Sequence, residues 1–156
     1  MTAEALWPYA LEVYGREGVE PLLLELQDAH GQCVPLLLWS LWMSASGRSV
    51  APATLRSGAE LARAWQDAAV APLRTIRRDL KNAGRAGTEP ARERLRGGVQ
   101  ALELEAERML LQMLQDVSPA PTGPAGDRLV GLEEAALAWG GRCPAELLRR
   151  LAAATT

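Results

Sequence analysis

Residues 35–46, PLLLWSLWMSAS, decide the fold. Leu36, Leu37, Leu38, Trp39, Leu41, Trp42 and Met43 take up nearly every direction around a helix. A helix that is apolar all round is buried on all sides. This segment is therefore expected to be a helix at the centre of a core, and the rest of the chain must supply the elements that cover it. Gly47 stops it, and a short loop through Pro52 follows.

The surrounding sequence offers helices as the cover. Leu and Ala dominate the apolar residues, Phe is absent and Ile76 is the only isoleucine, so strand formers are scarce. Residues 3–14 place Leu6, Tyr9, Ala10, Val13 and Tyr14 on one stripe. Residues 19–29 follow with Pro21 in the first turn and Leu22, Leu23 and Leu26 on one face, and Gly31 is a C-terminal stop. A long helical pattern covers residues 54–83, with Leu61, Trp65, Ala68, Ala69, Leu73, Ile76 and Leu80 recurring at three or four. Pro72 must kink or split it, because an interior proline removes one hydrogen bond and clashes with the preceding turn. Residues 90–117 carry Leu95, Val99, Leu102, Ala106, Met109 and Met113 at alternating steps of four and three, a heptad seam.

Residues 118–126 hold three prolines and two glycines and read as a flexible loop. Residues 127–139 and 144–154 read as two short helices, the last fraying at its end. The expected fold is all-α: a single-domain helical bundle over residues 1–156. Three N-terminal helices pack on a long antiparallel helical hairpin, followed by two short C-terminal helices.

Charge is unevenly spread along a chain whose net charge is −2. Residues 73–96 carry eight basic residues against three acids, and each long segment outside them is acidic or neutral. Arg74, Arg77, Arg78, Lys81 and Arg85 lie three or four apart and share a broad helical face. Arg92, Arg94 and Arg96 join them at the hairpin tip. A positive tip on an acidic chain is a candidate docking surface for carboxylate or phosphate groups. No aromatic residue interleaves with these cations, so base stacking has no platform, and an acidic protein surface is favoured over nucleic acid. The competing interpretation is a solvated face paired internally with Asp79, Glu89 and Glu93. The sixteen-to-one excess of Arg over the lone Lys81 reflects a GC-rich coding bias rather than a site.

Candidates for chemistry are few. His30 is the only histidine and Cys33 lies three residues on, a pairing that can make a nucleophile and its base. Nothing supplies a third, orienting group, and a histidine beside a C-terminal glycine serves as a cap. Glu103, Glu105 and Glu107 alternate and are not expected to share one helical face or to form a metal pair. No metal site, cofactor motif, phosphate loop or nucleophile elbow is read from the sequence. Trp39 and Trp42 belong to the core; alternatively, with Tyr9, Tyr14 and His30, they line a pocket for an apolar ligand. The longest uncharged stretch, residues 29–47, is too polar and too short in its apolar part for the roughly 20 residues of a membrane span. No secretory signal is read near Glu4. A cytoplasmic protein with two reduced cysteines, Cys33 and Cys143, is expected.

Several strings resemble a known family: LWPYALEVY at 6–14, GVE at 18–20, LQDAHG at 26–31, VPLLLWSLW at 34–42, Trp65, VAPLR at 70–74 and RRDLK at 77–81. They are similar to an uncharacterised, mostly proteobacterial family of small helical proteins, a domain-of-unknown-function family, over residues 6–82. The resemblance implies a bacterial cytosolic helical protein and does not point to any particular activity. Pro35 departs from the polar cap frequent at that position in relatives.

Two functional readings follow. One is a non-enzymatic interaction or adaptor protein whose Arg-rich tip docks an acidic partner. The other is a small-molecule-binding protein or enzyme with a site around His30, Cys33 and Trp39. The seam at 95–113 either pairs within the chain, against residues 61–80, or makes a homodimer; the internal pairing is the preferred expectation.

Overall fold

A computed structural model describes residues 4–82 and 87–156. All regular structure in them is helical, and no strand occurs among the described residues. The elements are α1 (Leu6–Tyr14), α2 (Val19–His30), α3 (Val34–Ala45), α4 (Pro52–Trp65), a π-helical turn (Gln66–Val70), α5 (Ala71–Asn82), α6 (Glu89–Asp116), α7 (Arg128–Trp139) and α8 (Ala145–Ala154). The chain divides into two compact units, residues 1–62 with 111–156, and residues 63–110.

In the first unit α3 is the core. Every residue from Pro35 to Ser44 is buried. Helices α1, α2 and α7 pack on it, and α8 packs on α2 and α7. Two glycines permit the tightest approaches. A Cβ on Gly131 of α7 would lie 2.6 Å from Ser44 Oγ and 3.3 Å from Ser40 O, and a Cβ on Gly58 of α4 would overlap the Trp39 ring. Gly31 closes α2 in the left-handed conformation, φ 62°, its N–H reaching the Gln27 carbonyl as a C-terminal stop requires.

The Pro/Gly segment is pinned to the end of α3. Thr122 N donates to Gly47 O at 2.9 Å, and Gly126 N donates to Ser44 O at 2.8 Å. Asp127 then caps α7, its Oδ1 accepting from Leu129 N at 2.8 Å. The last helix ends on a packed residue. Thr155 is buried, and its hydroxyl donates to Leu151 O at 3.0 Å.

In the second unit the long pattern divides at Pro72. The turn before it widens into a π-helix over Gln66–Val70. The wider i→i+5 turn accommodates a ring that has no N–H to give and would otherwise collide with the carbonyl one turn back. Helix α5 then runs antiparallel to α6. Arg92 of α6 reaches Leu80 O, Arg77 meets Glu103, and Arg74 meets Glu107, the numbers rising on one helix as they fall on the other.

The heptad seam is only half internal, which corrects the expectation. Val99 and Ala106 are buried, but Leu95, Leu102 and Met109 are 57%, 58% and 47% exposed. The buried stripe instead runs Val99, Glu103, Ala106, Leu110, Leu114. Glu103 must turn toward the arginines of α5, and that rotates α6 away from the heptad face. Ile76 of α5, expected to be internal, is likewise 46% exposed.

Candidate functional site

The basic segment is organised around one carboxylate. Glu103 is 7% exposed, and Arg74 and Arg77 converge on it from α5. Arg77 Nε donates to Glu103 Oε2 at 2.6 Å, and Arg74 Nε donates to Oε1 at 3.0 Å. Arg74 Nη2 also reaches Glu107 Oε1 at 3.4 Å. Glu103 and Glu107 are one turn apart and share a face, correcting the expectation that the alternating glutamates could not. What they bind there is guanidinium.

Electrostatics follow the geometry. Burial pushes the Glu103 carboxyl up, but the hydrogen bonds from Arg77 and Arg74 outweigh it and hold the group below its ordinary value. Arg77 in turn is raised by its hydrogen bond to Glu103. Such forked, charge-assisted contacts fix direction as well as energy.

The remaining cations divide into two sets. Arg92 pairs with Glu89 at 3.4 Å, and Arg96 with Glu93 at 2.7 Å, each within α6. Arg78, Lys81 and Arg94 are exposed and make no ion pair among the described residues. Arg85 lies outside the described residues. The eight-residue basic block thus resolves into four cations held internally and three that face water with their charge unmatched.

The N-terminal candidates lie on three helices, Tyr9 and Tyr14 on α1, His30 on α2, and Trp39 and Trp42 on α3. The Trp39 side chain is fully buried, its Nε1 donating to Ser118 Oγ at 2.7 Å. Trp42 is buried too, its Nε1 donating to Glu4 O at 2.8 Å, with the Arg48 guanidinium 4.1 Å from its ring centroid. Both indoles thus satisfy their one donor within the fold. Tyr14 is half-buried at the end of α1 and His30 half-buried in the last turn of α2. Cys33 is buried at the start of α3, and Cys33 and Cys143 are both free thiols. Burial raises the Cys143 thiol, which works against a nucleophilic role.

Tyr9 differs from these. It is 8% exposed, and its hydroxyl has no hydrogen-bond partner among the described residues, nor does the buried Nε of Arg128. Burial raises the Tyr9 phenol, and the charge and hydrogen-bonding capacity of the neighbouring Arg128 act against that rise. The sequence did not single out Arg128. Its only signal is a position just after the Asp127 cap.

Together these features define a protein that is helical throughout its described regular structure, with an internally braced arginine hairpin. The family model described as protein of unknown function, DUF2390, matches residues 5–114, and the chain belongs to this family. The match runs well past residue 82, where the string resemblance ends, and takes in most of α6. Comparisons with curated proteins and with solved structures give no match. No helix among the described residues is long and apolar enough to cross a membrane.

Proposed function

We propose that this chain is a non-enzymatic interaction protein of the bacterial cytoplasm that docks an acidic protein surface on the tip of its α5–α6 hairpin. The observation that carries this reading is the division of the basic block. Arg74 and Arg77 are spent on Glu103, while Arg78, Lys81 and Arg94 stay exposed with no counter-charge among the described residues. The braced pair sets the direction of α5 and presents the free cations. Carboxylate clusters on a partner match isolated guanidinium groups, and the absence of nearby aromatics disfavours nucleobases.

The test is capture from the native host with the chain carrying R78E, K81E and R94E, beside a control carrying R149E and R150E on α8. The triple variant should lose partners that the control retains, and wild-type capture should weaken between low and physiological salt. An unchanged partner set in the triple variant would remove the proposal.

One observation favours a second reading, a small anionic ligand near the N-terminal helices. The Tyr9 hydroxyl and Arg128 Nε are buried without a well-aligned hydrogen bond among the described residues, and the Arg128 side chain lies close enough to act on the phenol. A carboxylate or phosphate there would accept from both. A thermal-shift series with small carboxylates and phosphates should then show stabilisation in wild type that Y9F loses. Identical shifts in the two proteins would discard this reading.

A further inference from the structure

Helix α5 is held to α6 more by charge than by burial. None of its residues is buried. Leu73 and Leu80 are half-buried, and Ile76 is exposed. Its fastenings across the hairpin are polar: Arg74 and Arg77 to Glu103, Arg74 to Glu107, and Arg92 Nη1 to Leu80 O at 3.0 Å. Val99 and Ala106, the buried apolar residues that flank Glu103 on its face of α6, are small and give little area to bury. A segment with few buried apolar contacts opens at a lower free energy than the core of the same fold.

The ends of α5 confine such an opening to the helix itself. At its start stands Pro72, which gives no N–H, behind the π turn of Gln66–Val70. The regular ladder is already interrupted there, so the opening of α5 does not have to propagate into α4. Past its other end, Gly87 adopts φ 85°, a conformation that glycine takes without strain. Residues at the ends of an element are the ones that absorb changes in φ and ψ when it moves. Helix α5 has 12 residues, and a helix of that length released from its support is marginal in water.

We infer that α5 is a strap kept closed by Glu103 and Glu107, an autoinhibitory contact in which these carboxylates occupy two arginines that an opened strap adds to the docking surface. Closed, α5 offers Arg78 and Lys81. Open, it offers Arg74, Arg77, Arg78 and Lys81 together. A partner carboxylate competes with Glu103 for the same guanidinium groups, because both present two oxygens to the same fork of donors. That the released arginines serve an acidic partner rests on the function proposed above; that the strap opens does not.

Amide exchange in the full chain, followed by NMR, tests the strap. In wild type, the amides of residues 74–82 should exchange together, faster than those of residues 37–44 and with a weaker dependence on urea. E103Q should speed that whole set by one common factor, roughly tenfold, and R74Q combined with R77Q should do the same. Rates graded inward from Asn82, or rates tied to those of residues 37–44, would overturn the strap.

Fluorescence anisotropy with labelled polyglutamate tests the autoinhibition. E103Q should bind the polymer severalfold more tightly than wild type, and adding R74Q and R77Q to E103Q should cancel the gain. E105Q, which removes an exposed charge of the same kind from α6, should stay near wild type. A strap that opens in E103Q with no gain in polyglutamate binding, or an equal gain in E105Q, would overturn the autoinhibition. Either result would leave the acidic-partner reading to be decided by the capture experiment.

Discussion

At the scale of single residues, Glu103 is the side chain on which the second unit depends. It is nearly buried, it accepts from two arginines, and its charge is what makes their half-burial tolerable. Removing one partner of such a group leaves the others unpaired, which costs more than the bond itself contributes. E103A should destabilise the chain by about 2 kcal/mol in urea unfolding, with E103Q recovering part of the loss. Tyr9 should behave in the opposite way. Its hydroxyl is buried without a well-aligned hydrogen bond among the described residues, so Y9F should leave stability unchanged or raise it by up to about 1 kcal/mol in the ligand-free protein. Neither role is legible in the sequence. The arginine block shows in the one-dimensional charge pattern, but which arginines are consumed depends on the rotation of α6. That rotation is fixed by Glu103 turning inward, a position the heptad reading assigned outside its seam.

At the scale of helices, three glycines with the same chemistry have different consequences. Gly58 lies on the Trp39 ring and Gly131 on Ser40 and Ser44, so each marks a place where two helices touch backbone to side chain. Gly98 faces open space. G58A and G131A should each lower stability by about 1–3 kcal/mol through overpacking, while G98A should raise stability by up to about 1 kcal/mol through helix propensity. Thermal melts of the three variants check the contrast. Helices themselves were legible: an element apolar on every side had to be central, and α3 is. The stops at Gly31 and Gly47 follow from the same positions that break the pattern. What the pattern could not give was the device at Pro72. Proline demands that the regular ladder be interrupted, but a kink, a break and a widened π turn all satisfy that demand.

At the scale of the whole molecule, α4 and α6 each contribute residues to both compact units. We propose that the chain folds as one domain. Helicity and tryptophan emission should then be lost in a single coincident urea transition, and two separated transitions would show otherwise. Acid adds a second measurement. Glu103 has its carboxyl held below the unfolded value, so its stabilisation is full above the unfolded carboxylate pKa and is lost as pH falls through the lowered folded value. Melting temperature should drop in that acidic window, and E103Q should drop less steeply. The two-unit organisation itself was not legible, because the hydrophobic period continues through residues 61–80 without marking where one cluster of contacts ends.

The single lysine has a practical and biological corollary. Lys81 is exposed near the end of α5, among cations that the hairpin leaves unmatched. Amine-directed chemistry on side chains therefore has one address in this chain. An acyl group placed there would erase one of the tip's charges without touching the arginines, and side-chain cross-links from a bifunctional amine reagent would report on whatever sits against that tip.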